Sequence, residues 1–404
     1  MLNPEMQNTD ELVSDKEGWR ETHFCRLMKK VFKKIRLPKM SLFLAIAFLA
    51  TCLFPSMTAG MHISAGPDEQ EIEAGIQSLA VEMKPEGMSI APILAFDSTF
   101  GTIFGAALFL SKPEKGYDLA TKVNATTQSD LAFFLDYRKW SETGYFYRLE
   151  VNVDGFAIPY YGEGNDTNEA DEVRIDQTAV TAKFHLNYRE NSKVKMGLFL
   201  DLRLRSELSV DGDETVSSGF PDESRLGFGY SLAYDTRDSS ISPTKGTFQR
   251  YSLLYLPKST TNLDSAEMFI QAELDLRGFY SFNNRVTLAG RVNAGTSWVG
   301  EPTYLYRYSL GGKHSLRGYF HNRFRGKKFY LAQGEVRFPL FWVVTGAAFV
   351  DMGDVTDSEF ASARTTFGGG IRFLLPPDYI AKARLDYGIG EDQESIYFVF
   401  AEAF

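Results

Sequence analysis

Cysteine is nearly absent: the 404 residues hold two, Cys25 and Cys52, both before residue 60. The chain beyond them can carry no disulfide staple and no cysteine metal site. Histidine is scarce as well. After residue 60 there are His62, His185, His314 and His321, and none stands at a recognisable spacing from a serine or acid partner for catalysis. No stretch after residue 60 is long and apolar enough for a membrane-spanning helix. Excess basic charge is missing, since 43 Lys and Arg face 52 Asp and Glu for a net charge of −9, which argues against nucleic acid as a partner. The triplet Gly368, Gly369 and Gly370 lacks the Lys-Ser/Thr of a phosphate loop and opens no helix, so it reads as a bend or a place of close packing. These absences point away from an enzyme and imply no cofactor and no metal.

What is present is aromatic residues and alternation. Phe and Tyr number 33 and 20, within a composition that is 44% hydrophobic and too polar for a bundle of membrane helices. From about residue 89 onward the pattern has period two. Ile270, Ala272, Leu274 and Leu276 alternate with Gln271, Glu273, Asp275 and Arg277, and Val286, Leu288, Gly290 and Val292 alternate with Arg285, Thr287, Ala289 and Arg291. Opposite faces of a strand then meet opposite solvents. Lipid outside and a wet, ionic lumen inside fit this pattern, as does a soluble sandwich with the sense reversed. Connection lengths favour the first. About sixteen strand candidates are joined by alternating short and long links, the pattern of an outer-membrane barrel. The short set is 113–117, 141–143, 283–284, 339–340 and 376–378; the long set is 156–171, 209–223 and 299–326. The expected fold is therefore all-β, a transmembrane antiparallel barrel over 89–404, with the long loops outside the cell.

The N-terminal part divides in three. Residues 1–27 are polar, match no targeting element, and are expected to be a non-native extension, with translation starting at Met28. Residues 28–60 read as a signal peptide: a basic region (Lys29, Lys30, Lys33, Lys34, Arg36, Lys39), a short apolar core at 41–52, and small residues Thr58, Ala59 and Gly60 for cleavage. A lipid anchor at Cys52 is the alternative, but Thr51 before the cysteine fits it poorly. Residues 61–88 are acidic and irregular, a short periplasmic linker with one or two helical turns at 69–80.

The loop near the end reads Leu310-Gly311-Gly312-Lys313-His314-Ser315-Leu316-Arg317-Gly318-Tyr319. It resembles the loop motif of the BamA/TamA superfamily of outer-membrane barrels, also called the bacterial surface antigen family. Gly334 to Leu340 and Phe349 to Val355 are similar to that family's last-third motifs, in its order. Asp235, Arg237 and Asp238, followed by Pro243 and Gly246, resemble its mid-barrel turn; Pro92, Gly101 and Gly105 its first hairpin; and 160–165 a common early loop. The chain's end on Phe404, closing an aromatic-rich strand, looks like the terminus such barrels present to their assembly machinery.

The resemblance implies a sixteen-stranded barrel in the bacterial outer membrane, with a long extracellular loop folded into the lumen. It implies that Arg317, with Gly318 and Tyr319, tucks inward onto Glu335 and Asp351, with Gly311 and Gly312 as hinges. Parity agrees, because Gln333, Glu335 and Arg337 share one face of their strand, and Phe349 and Asp351 share one face of theirs. Guanidinium suits the task, since it grips a carboxylate through two parallel hydrogen bonds. Asp235, Arg237 and Asp238 read best as a turn-capping charge cluster. Pro92 and Phe404 are expected at the seam between first and last strands, where Pro92 can donate no ladder hydrogen bond. The implied role is insertion of outer-membrane proteins or translocation of polypeptides, with lipids and client polypeptides as partners. Relatives carry periplasmic POTRA domains; 61–88 is too short for one, so a separate periplasmic partner is expected. The alternative is a pore or structural outer-membrane protein with a plugged lumen.

Overall fold

The computed structural model describes residues 87–404 except 190–192, 212–219, 221, 241, 264–266, 283–284, 342–343, 375–381 and 401. The expected extension, the signal peptide and nearly all of the linker lie outside the described residues.

Period-two alternation becomes strand almost everywhere. The barrel wall begins with β1 (Gly87–Asp97), β2 (Gly101–Lys112), β3 (Tyr117–Thr126), β4 (Leu131–Trp140) and β5 (Tyr145–Tyr160). It continues through β6 (Val173–Arg189), β7 (Val194–Asp211), β8 (Glu223–Asp235), β9 (Gly246–Leu256), β10 (Phe269–Phe282) and β11 (Val286–Val299). Two short strands, β12 (Tyr308–Leu310) and β13 (Phe324–Gly326), form a separate hairpin inside the long connection. The wall resumes with β14 (Lys328–Phe341), β15 (Val344–Thr356), β16 (Arg364–Leu374), β17 (Lys382–Ile389) and β18 (Glu394–Phe400). Sixteen strands pair antiparallel with their neighbours and β18 returns to β1, closing the barrel. Among the described residues, no helix is long and apolar enough to cross a membrane.

Closure is what makes such a sheet tolerable in lipid, where an unpaired edge would leave backbone polar groups unsatisfied. The outward face is apolar and solvent-accessible: Leu198 is 62% exposed and Phe341 69%. Tyr145, Tyr147, Tyr188, Tyr234, Tyr280 and Phe282 ring the end with short turns, and Phe96, Phe104, Tyr255 and Trp298 lie toward the other end. These are the two aromatic girdles expected where a barrel meets the headgroups. The long connections 161–172, 212–222, 257–268 and 300–327 all leave from one end.

Three expectations need correcting. Strands outrun their expected ends: β5 continues through Pro159 to Tyr160, and β14 runs through Pro339 and Leu340 with a register irregularity between Pro339 and Phe341. The lumen is not uniformly ionic. On β1 to β5 the inward face includes an apolar strip of Ile93, Ala95, Ile103, Ala107, Phe134 and Phe156, beside buried ions such as Asp136, Arg138 and Arg148. Finally, Phe404 is not at the seam. Residues Glu402, Ala403 and Phe404 are buried, and the Phe404 ring lies 6.3 Å from that of Phe279 on β10, with Ala289 and Ala403 in the same cluster. An aromatic tip gains more from an apolar niche than from a wet strand end.

Candidate functional site: loop, lumen and seam

The connection between β11 and β14 dives into the barrel. Gly311 and Gly318 have φ of 111° and 120°, a region that disfavours any side chain. Gly318 also lies so close to β17 that an added Cβ would stand 2.9 Å from the Gly390 nitrogen. Gly312, with φ of 102°, completes the reversal.

At the tip of this loop Arg317 is wholly buried. Its Nε donates to Asp351 Oδ2 and its Nη2 to Asp351 Oδ1, both at 2.8 Å, while its own backbone N–H reaches Oδ2 at 3.2 Å. Nη1 donates to Glu335 Oε2 at 2.5 Å. The guanidinium carbon sits 3.6 Å from the centroid of the Phe349 ring. A fork-to-carboxylate pair with a ring on one face is the arrangement only Arg can make. Tyr319 anchors the next turn: its hydroxyl accepts from the Glu391 N–H at 3.1 Å, and its carbonyl accepts from the Tyr397 hydroxyl at 2.6 Å. Gly318 N–H donates to that same Tyr397 oxygen at 3.2 Å.

The ionic cluster is larger than the sequence suggested. Glu335 also accepts from Arg337 Nε at 2.7 Å and from Arg372 Nη2 at 3.1 Å. Arg372 pairs in addition with Asp386, and through Nε with Glu402 Oε2 at 3.2 Å. Arg384 lies 3.3 Å from Asp386, and Arg337 lies 3.6 Å from Glu402. Ser242 donates to Glu402 Oε1 at 3.2 Å. Sequence reading missed Arg372, Arg384, Asp386 and Glu402. Alternation of Arg384 and Asp386 with Leu385 and Tyr387 was the available signal, since it faces both charges inward.

Asp235, Arg237 and Asp238 stay apart from this cluster. Arg237 grips Asp235 at 2.9 and 3.0 Å, and Asp238 accepts from the Thr244 and Lys245 N–H groups at 2.8 and 3.1 Å. Gly246 closes the turn at φ of 98°. Partial burial opposes ionisation of Asp238, but the Thr244 hydroxyl and these N–H donors outweigh it and hold its carboxyl below the ordinary 3.8. A depressed folded value means this contribution is complete above pH 3.8 and fades as pH falls through the folded value. We predict that Asp238→Ala loosens the turn by about 1–2 kcal/mol at pH 7. Limited proteolysis within 236–245 checks it, with the variant cut faster at pH 7.

The seam is short. Among the described residues, β1 pairs with β2 from Gly87 to Asp97, yet with β18 at two positions, Phe96 with Phe398 and Asp97 with Tyr397. The Ser98 hydroxyl adds two bonds, donating to Ile396 O at 3.1 Å and accepting from Ile396 N at 2.9 Å. Residues 87–95 have no strand partner on that side among the described residues. Pro92 is there, exposed, opposite Ala106 on β2. The loop touches both sides of the seam, through Tyr397 on β18 and through His321 N–H to Thr99 Oγ1 at 2.8 Å. Among the described residues, no cluster of His, Cys, Asp and Glu could hold a metal ion.

A closed sixteen-stranded sheet with an apolar exterior and an inward loop held by Arg317 defines an outer-membrane β-barrel. Residues 115–404 match the model of the Omp85 superfamily domain, and the chain belongs to that superfamily. Its fold is similar to BamA from Haemophilus ducreyi lacking POTRA domains 1–3, at a TM-score of 0.60 and 14% identity, over 78% of this chain and 70% of that one. It is also similar to CdiB from Escherichia coli (TM-score 0.55, 14% identity, 88% and 73% covered) and CdiB from Acinetobacter baumannii (0.52, 13%, 76% and 58%). At these identities the likeness is one of fold. No curated protein matches the sequence. The family and fold imply a bacterial outer membrane.

Proposed function

We propose that this barrel handles unfolded polypeptides at its seam, in the insertion of outer-membrane proteins or the translocation of polypeptides, by a non-enzymatic route. The observation that carries this reading is the two-pair junction of β1 with β18. Among the described residues, 87–95 then have no strand partner on the seam side. An extended client segment can pair with them by β-augmentation, taking main-chain hydrogen bonds from the free edge. Pro92 interrupts the ladder midway, so a client held there is bound weakly enough to leave. Lipid and client strand are the partners.

The buried loop and its ionic cluster favour one competing role, a plugged structural barrel. Folding of a small client barrel into lipid vesicles, followed by gel mobility with and without this protein, separates the two. Acceleration supports the proposal, and an unchanged rate overturns it. In planar bilayers we expect no large, steady conductance, since Arg317, Arg372 and Arg384 fill the lumen with negligible exposure. Large stable channels would instead identify a pore.

A further inference from the structure

The ionic cluster contains two groups that the barrel wall does not itself carry. The wall supplies three cations, Arg337, Arg372 and Arg384, and three anions, Glu335, Asp351 and Asp386. The loop adds Arg317, and the C-terminal tail adds Glu402. All eight are buried. Counted over these eight ion-paired groups, the wall alone is balanced, wall plus loop carries one positive charge too many, and wall plus tail one negative charge too many. Once either the loop or the tail is seated, the other restores the balance. In a low-dielectric interior an unmatched charge is costly, so each arrival favours the other.

The tail has somewhere else to go. Continuing the register of Phe96 with Phe398 and Asp97 with Tyr397 sets Pro92 opposite Glu402 and Ala91 opposite Ala403. In the structure the tail instead turns inward, with the Ala403 carbonyl 2.9 Å from His314 Nδ1 and Phe404 against Phe279. Its seam position and its lumen position exclude one another.

We propose that docking of Arg317 and inward seating of the C-terminal tail are coupled through this shared cluster, so that release of the loop charge sends the tail outward and lengthens the seam. This deepens the seam reading and rests on it for its consequence in function, but the coupling can be measured without a client. By thermodynamic linkage the effect is reciprocal: a freed tail weakens the loop's hold.

The test uses the full chain with Cys25 and Cys52 replaced by serine, so that introduced thiols stand alone. Ala289→Cys with Ala403→Cys reports the inward tail, and Ala91→Cys with Ala403→Cys the outward one. Cross-link yield is scored only in the folded band of an unheated gel. In the parent the 289/403 product dominates. Arg317→Ala is expected to move the ratio toward 91/403 by about ten-fold, within the usual span of coupling between sites. Arg317→Lys keeps the charge and keeps the tail inward. Arg317→Ala with Asp351→Asn removes one charge of each sign and returns the tail inward, although the loop has lost its anchor. Asp351→Asn alone also keeps the tail inward, which serves if Arg317→Ala fails to fold. A tail that stays outward in the double variant, or leaves in Asp351→Asn, shows that loop packing alone governs it and overturns the proposal. A ratio unmoved by Arg317→Ala also overturns it, while client folding in vesicles then still decides the seam reading separately.

Discussion

Arg317→Ala is expected to free the loop from the lumen, at a cost of about 3–5 kcal/mol, the range found when one partner of a buried ion pair is removed. The reason is what stays behind. Asp351 loses both fork bonds and keeps only the backbone N–H of position 317, and Glu335 loses one of its three arginine partners, all among buried side chains. Phe349 loses the guanidinium stacked on its ring. The loop keeps other ties: neutral hydrogen bonds worth about 1 kcal/mol each, among them Tyr319 to Glu391 and Tyr397, Gly318 to Tyr397, Phe320 to Gln393 and His321 to Thr99, and charge-assisted bonds from Arg291 to the His314 carbonyl and from Arg384 to the Lys313 carbonyl. Protease added to membranes should cut within 300–327 in the variant and spare the parent, and the folded band should convert at a lower temperature. Asp351→Ala should do the same. Equal resistance of parent and both variants would mean that loop packing, not the ion pair, holds it.

Tying the seam shut gives the second large effect. Phe96 and Phe398 are direct partners across β1 and β18, and both face outward. A disulfide between Phe96→Cys and Phe398→Cys, with Cys25 and Cys52 replaced by serine, is expected to slow client folding in vesicles at least about ten-fold, since a covalent closure denies the client the edge it must pair with. Reduction should restore the rate. The heat stability of the folded band should rise in the same sample, because a two-pair junction gains most from a covalent tie. An oxidised sample that still accelerates client folding would move the working surface away from the seam.

How much of this could be read beforehand depended on how local the signal was. Strand faces were legible, because alternation as in Ile270 to Arg277 needs no knowledge of partners. Glu335 and Asp351 could be assigned to the inward face by the same parity. The rest of the cluster was hidden by distance in sequence: Arg372 meets Glu335 from 37 residues away and Glu402 from 30. No local pattern states which inward charges end up adjacent around a curved wall. The tail misled for a physical reason. Its alternation continues the last strand smoothly, but a buried carboxylate partner for Arg372 and an apolar niche for Phe404 outweigh a few more ladder bonds next to Pro92. The apolar inner strip on β1 to β5 was illegible because alternation of aliphatics with Ala and Phe does not tell in from out.

Wall height varies around the barrel. β7 has 18 residues and β18 has 7. At ~3.3 Å per residue and a tilt near ~40°, these reach about 45 Å and about 18 Å along the membrane normal, against an apolar band of ~25 Å. On the short flank the hydrocarbon must pinch or its headgroups must sink inward. Lipid thickness thereby becomes a load on the weakest joint of the molecule: long-chain phospholipids would strain that flank and short-chain ones relax it.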